Sequence, residues 1–259
     1  MAAVRRIAAM LDLDADRLRT GDALPRGWHF ILLGADTKKA ALRPDGFPGL
    51  GVPLPDLGLP RVMLGARTVA FDGDVPIGAD MERTSNVSSV RQKGTGTDRM
   101  VIVTINHQLR LSGQTKPSIT ETQTYLLLPG SKTGPMQPPP SAAVTAERTR
   151  IAVPDETLLF QYSALGFNSH KIHLDRAHAR EVEGFPDLVV NGGLATLLLT
   201  EFLREDLGFT PAALRVRHMA PLYCGRPLRL TADRKGSAWH LRAFDDKNTH
   251  SIDMEVEIQ

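Results

Sequence analysis

Near the end of the chain every second residue is apolar: Ile252, Met254, Val256 and Ile258 alternate with Asp253, Glu255 and Glu257. A strand puts successive side chains on opposite faces, so residues 251–258 have one wet face and one dry face, and the dry face must be covered. What comes before supplies the cover. Residues 214–219, 227–233 and 238–244 also read as strands, and ahead of them lies a helix from 192 to about 207. Asn191, a favoured N-cap type, and the pair Gly192-Gly193 mark its start. Leu194, Leu197 and Leu198 form a stripe to bury, while Glu201, Arg204 and Glu205 form a charged one. One helix followed by four antiparallel strands predicts a helix wrapped by a sheet.

The first half is built from similar material. Val4, Ile7, Ala8, Met10 and Leu11 stand at helical spacing and predict a short amphipathic helix ending near Thr20-Gly21. Residues 25–60 are rich in Gly and Pro and form a long irregular loop; a cover over a bound ligand and a plain surface loop are both open. Strand-like stretches at 67–71, 82–91, 100–111 and 121–128 suggest an antiparallel meander. Residues 131–147, with Pro135 and the triplet Pro138-Pro139-Pro140, have linker composition, which divides the chain into domains 1–130 and 148–259. A short strand near 157–162 follows the linker. The two halves fit a tandem duplication, although the first has no obvious counterpart of the Gly192 helix and is expected to be degenerate.

Bulk properties exclude several classes. Apolar residues are 42% and charged residues 23%, as in an ordinary globular protein. With 31 basic and 29 acidic residues the net charge of +2 gives no nucleic-acid footprint. Cys224 stands alone and cannot form an intrachain disulfide, so a cytoplasmic location is expected. The longest uncharged apolar stretch, 188–200, is too short to span a bilayer, and no signal segment or membrane anchor is visible.

The densest group of reactive side chains lies between Tyr162 and Leu199, where His170, His173 and His178 fall close together. No HExxH pattern or cysteine pair accompanies them, which disfavours a metal site. No GxSxG occurs in the chain, which disfavours a serine nucleophile. What remains is a histidine on an irregular segment ahead of a glycine-rich helix start. Free N–H groups at such a start can polarise a thioester carbonyl, and an imidazole can move protons near neutral pH. A structural histidine remains the alternative at this point.

The segment YSALGFNSHKIHLDRAHAREVEGFPDLVVNGGL resembles the hydratase motif of MaoC-like enzymes. More closely, it is similar to the hydroxyacyl-thioester dehydratases of mitochondrial type and their bacterial relatives, the mesaconyl-C4-CoA and itaconyl-CoA hydratases. WHFILL, GFPGLGVPLP and the strand pair within 81–109 resemble the same subgroup, so the resemblance spans essentially the whole chain. It implies an α+β double hot dog, with two antiparallel sheets each wrapping a central helix. His173 falls at the catalytic histidine, and Asn168 stands where the wider family has an aspartate. Asparagine is not a base, so Asn168 is expected to orient the water and His173 to transfer the proton. Gly192 and Gly193 would polarise the carbonyl, and Asn191, at a place where relatives usually have histidine, would cap the helix and shape the carbonyl pocket. His170 belongs either beside the site or on the surface. Arg217 is a candidate for a CoA phosphate or a substrate carboxylate, against a plain solvated strand face. Trp28 and Phe30 suit the core or an acyl tunnel, and Gln161 replaces an arginine common in the subgroup.

The resemblance thus implies a hydro-lyase acting on an enoyl or 3-hydroxyacyl thioester, in particular a short or dicarboxylic acyl-CoA such as itaconyl-CoA or mesaconyl-C4-CoA. An acyl-carrier-protein thioester is an equivalent carrier. No metal or redox cofactor is expected, since CoA arrives with the substrate, and neither nucleic acid nor membrane is an expected partner. The protein would be a monomer or a homodimer. A hot dog thioesterase is a second reading, but it needs an acid aimed at the carbonyl, and only Asp175, Glu181 and Glu183 lie near in sequence. A non-catalytic acyl-CoA-binding module is the third.

Overall fold

The computed structural model describes residues 1–32, 36–130 and 145–259. The strands are β1 (Arg61–Phe71), β2 (Met81–Lys93), β3 (Met100–Leu111), β4 (Ile119–Leu128), β5 (Arg148–Ala152), β6 (Pro211–His218), β7 (Leu228–Lys235), β8 (Ala238–Phe244) and β9 (His250–Ile258). They form one antiparallel sheet in the order β2-β3-β4-β1-β6-β9-β8-β7-β5. The first four strands and the last five therefore occupy opposite ends. The two expected half-sheets are joined edge to edge where β1 pairs with β6, with Ala66 opposite Arg217 and Ala70 opposite Ala213. Residues 131–144 of the expected linker lie outside the described residues.

Among the described residues the α-helices are α1 (Ala2–Met10), α2 (His29–Leu32), α3 (Glu156–Leu165) and α4 (Gly192–Glu201), the last continuing into a π-helical turn, Phe202–Asp206. The sheet wraps α4, whose Leu194, Leu197 and Leu199 are fully buried. Glu201 was expected on the charged stripe but is buried too. Its carboxylate accepts from the Trp28 indole N–H at 2.8 Å and pairs with Arg204. Among the described residues of the first half, the helix α2 packs against α3 and α4. One hydrophobic cluster runs through both halves, from Val4 and Trp28 to Met254 and Val256.

Three expectations need correcting. The first helix stops at Met10, well before Gly21. Asp12 takes a left-handed conformation (φ 56°) and Leu13 N–H returns to the Ala8 carbonyl at 2.9 Å, a Schellman-type ending. Residues 157–162 form part of α3 and are not a strand: Asp155 caps the helix by accepting from Leu158 N–H at 2.8 Å, and Glu156 favours its positive end. Strand β5, just after the linker, was not anticipated.

Candidate active site

The core face of β1 and β4, the segment 168–173, the start of α4 and the loop residues 47–51 enclose a cavity of about 260 Å³. That lies just under the usual range for small-molecule pockets, roughly 300–1,000 Å³, and suits a short acyl group. Loop 36–60 thus covers the cavity. It is fastened to the reactive segment at several points: Ser169 Oγ donates to the Gly46 carbonyl at 2.7 Å, Lys171 N–H to the Asp45 carbonyl at 2.8 Å, and Lys171 Nζ to the Pro44 carbonyl at 2.8 Å. Gly46 has φ +76°, and a Cβ there would stand 2.2 Å from the Ser169 carbonyl oxygen, so the close docking depends on glycine.

His173 ends a short 3-10 turn, Lys171–His173, and is buried. Its Nδ1 lies 2.7 Å from the Val189 carbonyl oxygen. A carbonyl can only accept, so Nδ1 carries the proton and Nε2 keeps a lone pair. Burial pushes the imidazole down to about 4, so it is a neutral base throughout the physiological range, below the near-neutral value expected from its type.

Asn168 lies close by on the same wall. Its Oδ1 accepts from His170 N–H at 3.1 Å, which leaves the Nδ2 amide as the donor end. The turn that presents it is set by Phe167 in a left-handed conformation (φ 49°) and by Asn168 N–H bonding the Ser163 carbonyl at 2.8 Å, at the end of α3. His170 lies beside the site: buried, it meets the His173 ring edge-on at 5.5 Å and packs against Phe47, with Nε2 3.6 Å from Asp45 Oδ2. Burial, then the neighbouring His173, holds it down to about 2.

At the start of α4 the first N–H groups have no partner within the helix. Asn191 is at the N-cap position, yet its side chain does not cap; Nδ2 instead donates to Ser163 Oγ at 3.3 Å, and the buried Oδ1 has no partner among the described residues. The expected capping role is therefore corrected, and the amides of Gly192 and Gly193 are left for a ligand. Gly193 has no room for a side chain, and Gly192 has only tight room. A Cβ on Gly193 would stand 2.1 Å from the Tyr162 hydroxyl, and one on Gly192 3.3 Å from the His218 ring.

The opposite wall comes from the first half and was missed in the sequence. Arg67, Gln123, Tyr125 and His107 line it, with Phe30, which belongs to the core as well. Strand register explains the grouping: Gln123 is directly across from Arg67, and Glu121 from His107. The available signal was β4 itself, where Thr120, Thr122 and Thr124 alternate with Ile119, Glu121, Gln123 and Tyr125, so that the inward face carries polar residues. His218 and Tyr162 were likewise missed.

Other candidates lie elsewhere. Arg217 does not line the cavity: on β6 it alternates with Val216 and His218, so it points to the opposite face, where its side chain is 68% exposed and ion-paired with Asp253. Gln161 is exposed, and Trp28 is core. Glu183 reaches the cavity wall, but Arg61 Nε holds its carboxylate at 3.0 Å. Among the described residues no group of three His, Cys, Asp or Glu side chains is placed to hold a metal ion, and no helix is long and apolar enough to cross a membrane.

Residues 27–224 match the hydroxyacyl-thioester dehydratase type 2 family. The chain belongs to that family. As a member of the hydroxyacyl-thioester dehydratase type 2 family it is a hydro-lyase of the hydratase/dehydratase type. It is 30% identical over 252 residues to the mesaconyl-C(4)-CoA hydratase of Chloroflexus aurantiacus, covering 97% of this chain and 89% of the relative. Solved structures agree on the fold. HtdX of Mycobacterium tuberculosis superposes with a TM-score of 0.68 at 17% identity, over 99% of this chain and 95% of HtdX. A second protein of that organism, described as having a double hot dog fold, gives 0.63 at 13% identity, over 98% and 91% of the two chains. The α+β double hot dog is thus the architecture of this family member.

Proposed function

We propose that this protein adds water to, or removes it from, the Cα–Cβ bond of a short dicarboxylic acyl-CoA, of which itaconyl-CoA and mesaconyl-C4-CoA are the leading candidates. The observation that carries the reading is the His173 imidazole, with Nδ1 committed to Val189 and Nε2 bare, sharing a small cavity with Asn168 and the uncapped amides of Gly192 and Gly193. The relative from Chloroflexus aurantiacus supports the dicarboxylic substrate.

In the hydration direction the thioester carbonyl oxygen accepts from the α4 amides, which draws electron density from Cβ. Water is held between Asn168 Nδ2 and His173 Nε2. As its oxygen bonds to Cβ, His173 takes the proton, the π electrons move towards the carbonyl oxygen as an enolate, and His173 returns the proton to Cα. Water and proton arrive from one face because a single histidine handles both. The reverse sequence is dehydration. All of this uses side chains and backbone amides of this chain, with CoA entering as part of the substrate. The two tandem units, 1–130 and 148–259, each contribute a wall, so a monomer has a complete site; a homodimer of such units and an acyl-carrier-protein thioester remain compatible with the same chemistry.

The test is loss of enoyl-thioester absorbance with crotonyl-CoA, itaconyl-CoA and mesaconyl-C4-CoA. Wild-type protein is expected to turn over at least one dicarboxylic thioester, and His173→Ala to lose about 10²–10⁴ in kcat, the usual worth of a positioned acid–base group. Free thiol release in place of hydration would sink the reading in favour of a thioesterase. Binding without turnover would leave an acyl-CoA-binding module.

A further inference from the structure

We infer that Arg67, held by Glu121 in the first half of the chain, is the specificity-determining residue that receives the carboxylate of the acyl group; this rests on the hydratase reading for the position of the thioester end. Arg67 is buried on the core face of β1 and lines the cavity. Its Nε faces Glu121 Oε1 at 3.0 Å, and its guanidinium lies over the Phe30 ring, 4.1 Å from the centroid. Nη1 has no hydrogen-bond partner, although it is shut away from solvent. A buried guanidinium with an unused N–H is costly unless something supplies the missing acceptor, and a carboxylate fits its fork.

The surroundings fix the arginine and saturate its counter-ion. Glu121 is fully buried and accepts from Gln123 Nε2 at 2.6 Å as well as facing His29 Nε2 at 3.2 Å. Gln123 Oε1 in turn accepts from the Tyr125 hydroxyl at 2.5 Å. Every donor in this chain leads towards Glu121, so the carboxylate is fully used and Arg67 cannot swing away to find it elsewhere. Arg61, also on the cavity wall, is occupied by the Glu183 carboxylate and carbonyl. Arg67 is also placed at the right end of the cavity. On β1 it stands opposite Val216, the strand neighbourhood of His218, whose ring is what a Cβ on Gly192 would meet at 3.3 Å. An acyl chain whose carbonyl sits on the α4 amides thus runs towards Arg67, Gln123, Tyr125 and His107, a polar wall unsuited to an alkyl tail.

Two measurements separate this inference from the reaction itself. Succinyl-CoA and butyryl-CoA have no double bond to hydrate and differ at the acyl terminus by a carboxylate against a methyl group. Titration calorimetry with wild-type protein is expected to show succinyl-CoA binding at least tenfold tighter. Arg67→Met alone would strand the Glu121 charge, so the variant of choice is Arg67→Met with Glu121→Gln, checked for native melting behaviour. It should bind the two thioesters within about threefold of each other and lose the wild-type preference for mesaconyl-C4-CoA over crotonyl-CoA in kcat/KM. Equal binding of the two thioesters by wild type, or a preference that survives in the folded double variant, would overturn the inference. If the double variant does not fold, the wild-type comparison alone decides. Failure of the hydratase reading looks different: no enoyl thioester turns over, whatever the binding pair shows.

Discussion

His173 shows how a backbone contact determines the chemistry of a side chain. The Val189 carbonyl accepts a hydrogen bond from Nδ1–H, and burial penalises the charged ring, so the free enzyme holds a neutral base down to about pH 4. The acid limb of kcat/KM should therefore fall near pH 4 instead of near the ordinary histidine value of 6.5. A pH profile on a dicarboxylic enoyl-CoA, with buffers chosen to keep the protein folded, measures this directly; a limb centred at 6.5 would mean that the ring is hydrated and charged more easily than its position allows. The place of His173 in the chain ahead of Gly192-Gly193 was legible in the sequence. Its tautomer and depressed basicity were not, because both depend on Val189, sixteen residues away and across a turn.

At the scale of elements, the start of α4 and the end of α3 form one device. Helix α3 was read as a strand because Leu158, Leu159, Phe160 and Tyr162 are compatible with either state, and the Asp155 cap decided otherwise. That helix places the Tyr162 hydroxyl where a Gly193 side chain would be, and Ser163 where it can hold Asn191. Gly193→Ala is expected to lower kcat by about 10²–10³, the scale of losing one carbonyl-polarising donor, because Cβ must push the helix start or the tyrosine aside. Tyr162→Phe removes the clashing oxygen, so the Gly193→Ala/Tyr162→Phe pair should recover part of the loss relative to Gly193→Ala alone. Steady-state kinetics on the three variants checks the coupling. An equal loss in the single and double variants would show that the glycine matters for helix geometry and not for this contact.

For the whole molecule, the continuous sheet explains both what sequence reveals and what it hides. Each strand's alternation is local and was readable, but the β1–β6 pairing that brings Arg67 opposite Val216 joins residues about 150 positions apart, and no local pattern encodes it. The same long-range closure buries many histidines. His29, His107, His170, His173, His218 and His250 are all shifted down with burial as the main cause. In each case the unfolded chain takes up a proton at a higher pH than the folded one. Their contribution is fully present above about pH 6.5 and is lost as the pH falls towards the folded values, about 4 for His173 and about 3 for His218. His173 alone is worth on the order of 3 kcal/mol over that window. Glu121, held down to about 2 by Arg67 and its hydrogen bonds against the opposing effect of burial, adds a second loss below its ordinary value of 4.5. Thermal melts between pH 8 and pH 4 should therefore show Tm level down to about 6.5 and then falling steeply, as one cooperative transition because a single core spans both halves. A Tm that stays level to pH 4.5 would mean that the imidazoles take up protons in the folded state without penalty, and a split transition would mean that the halves unfold independently.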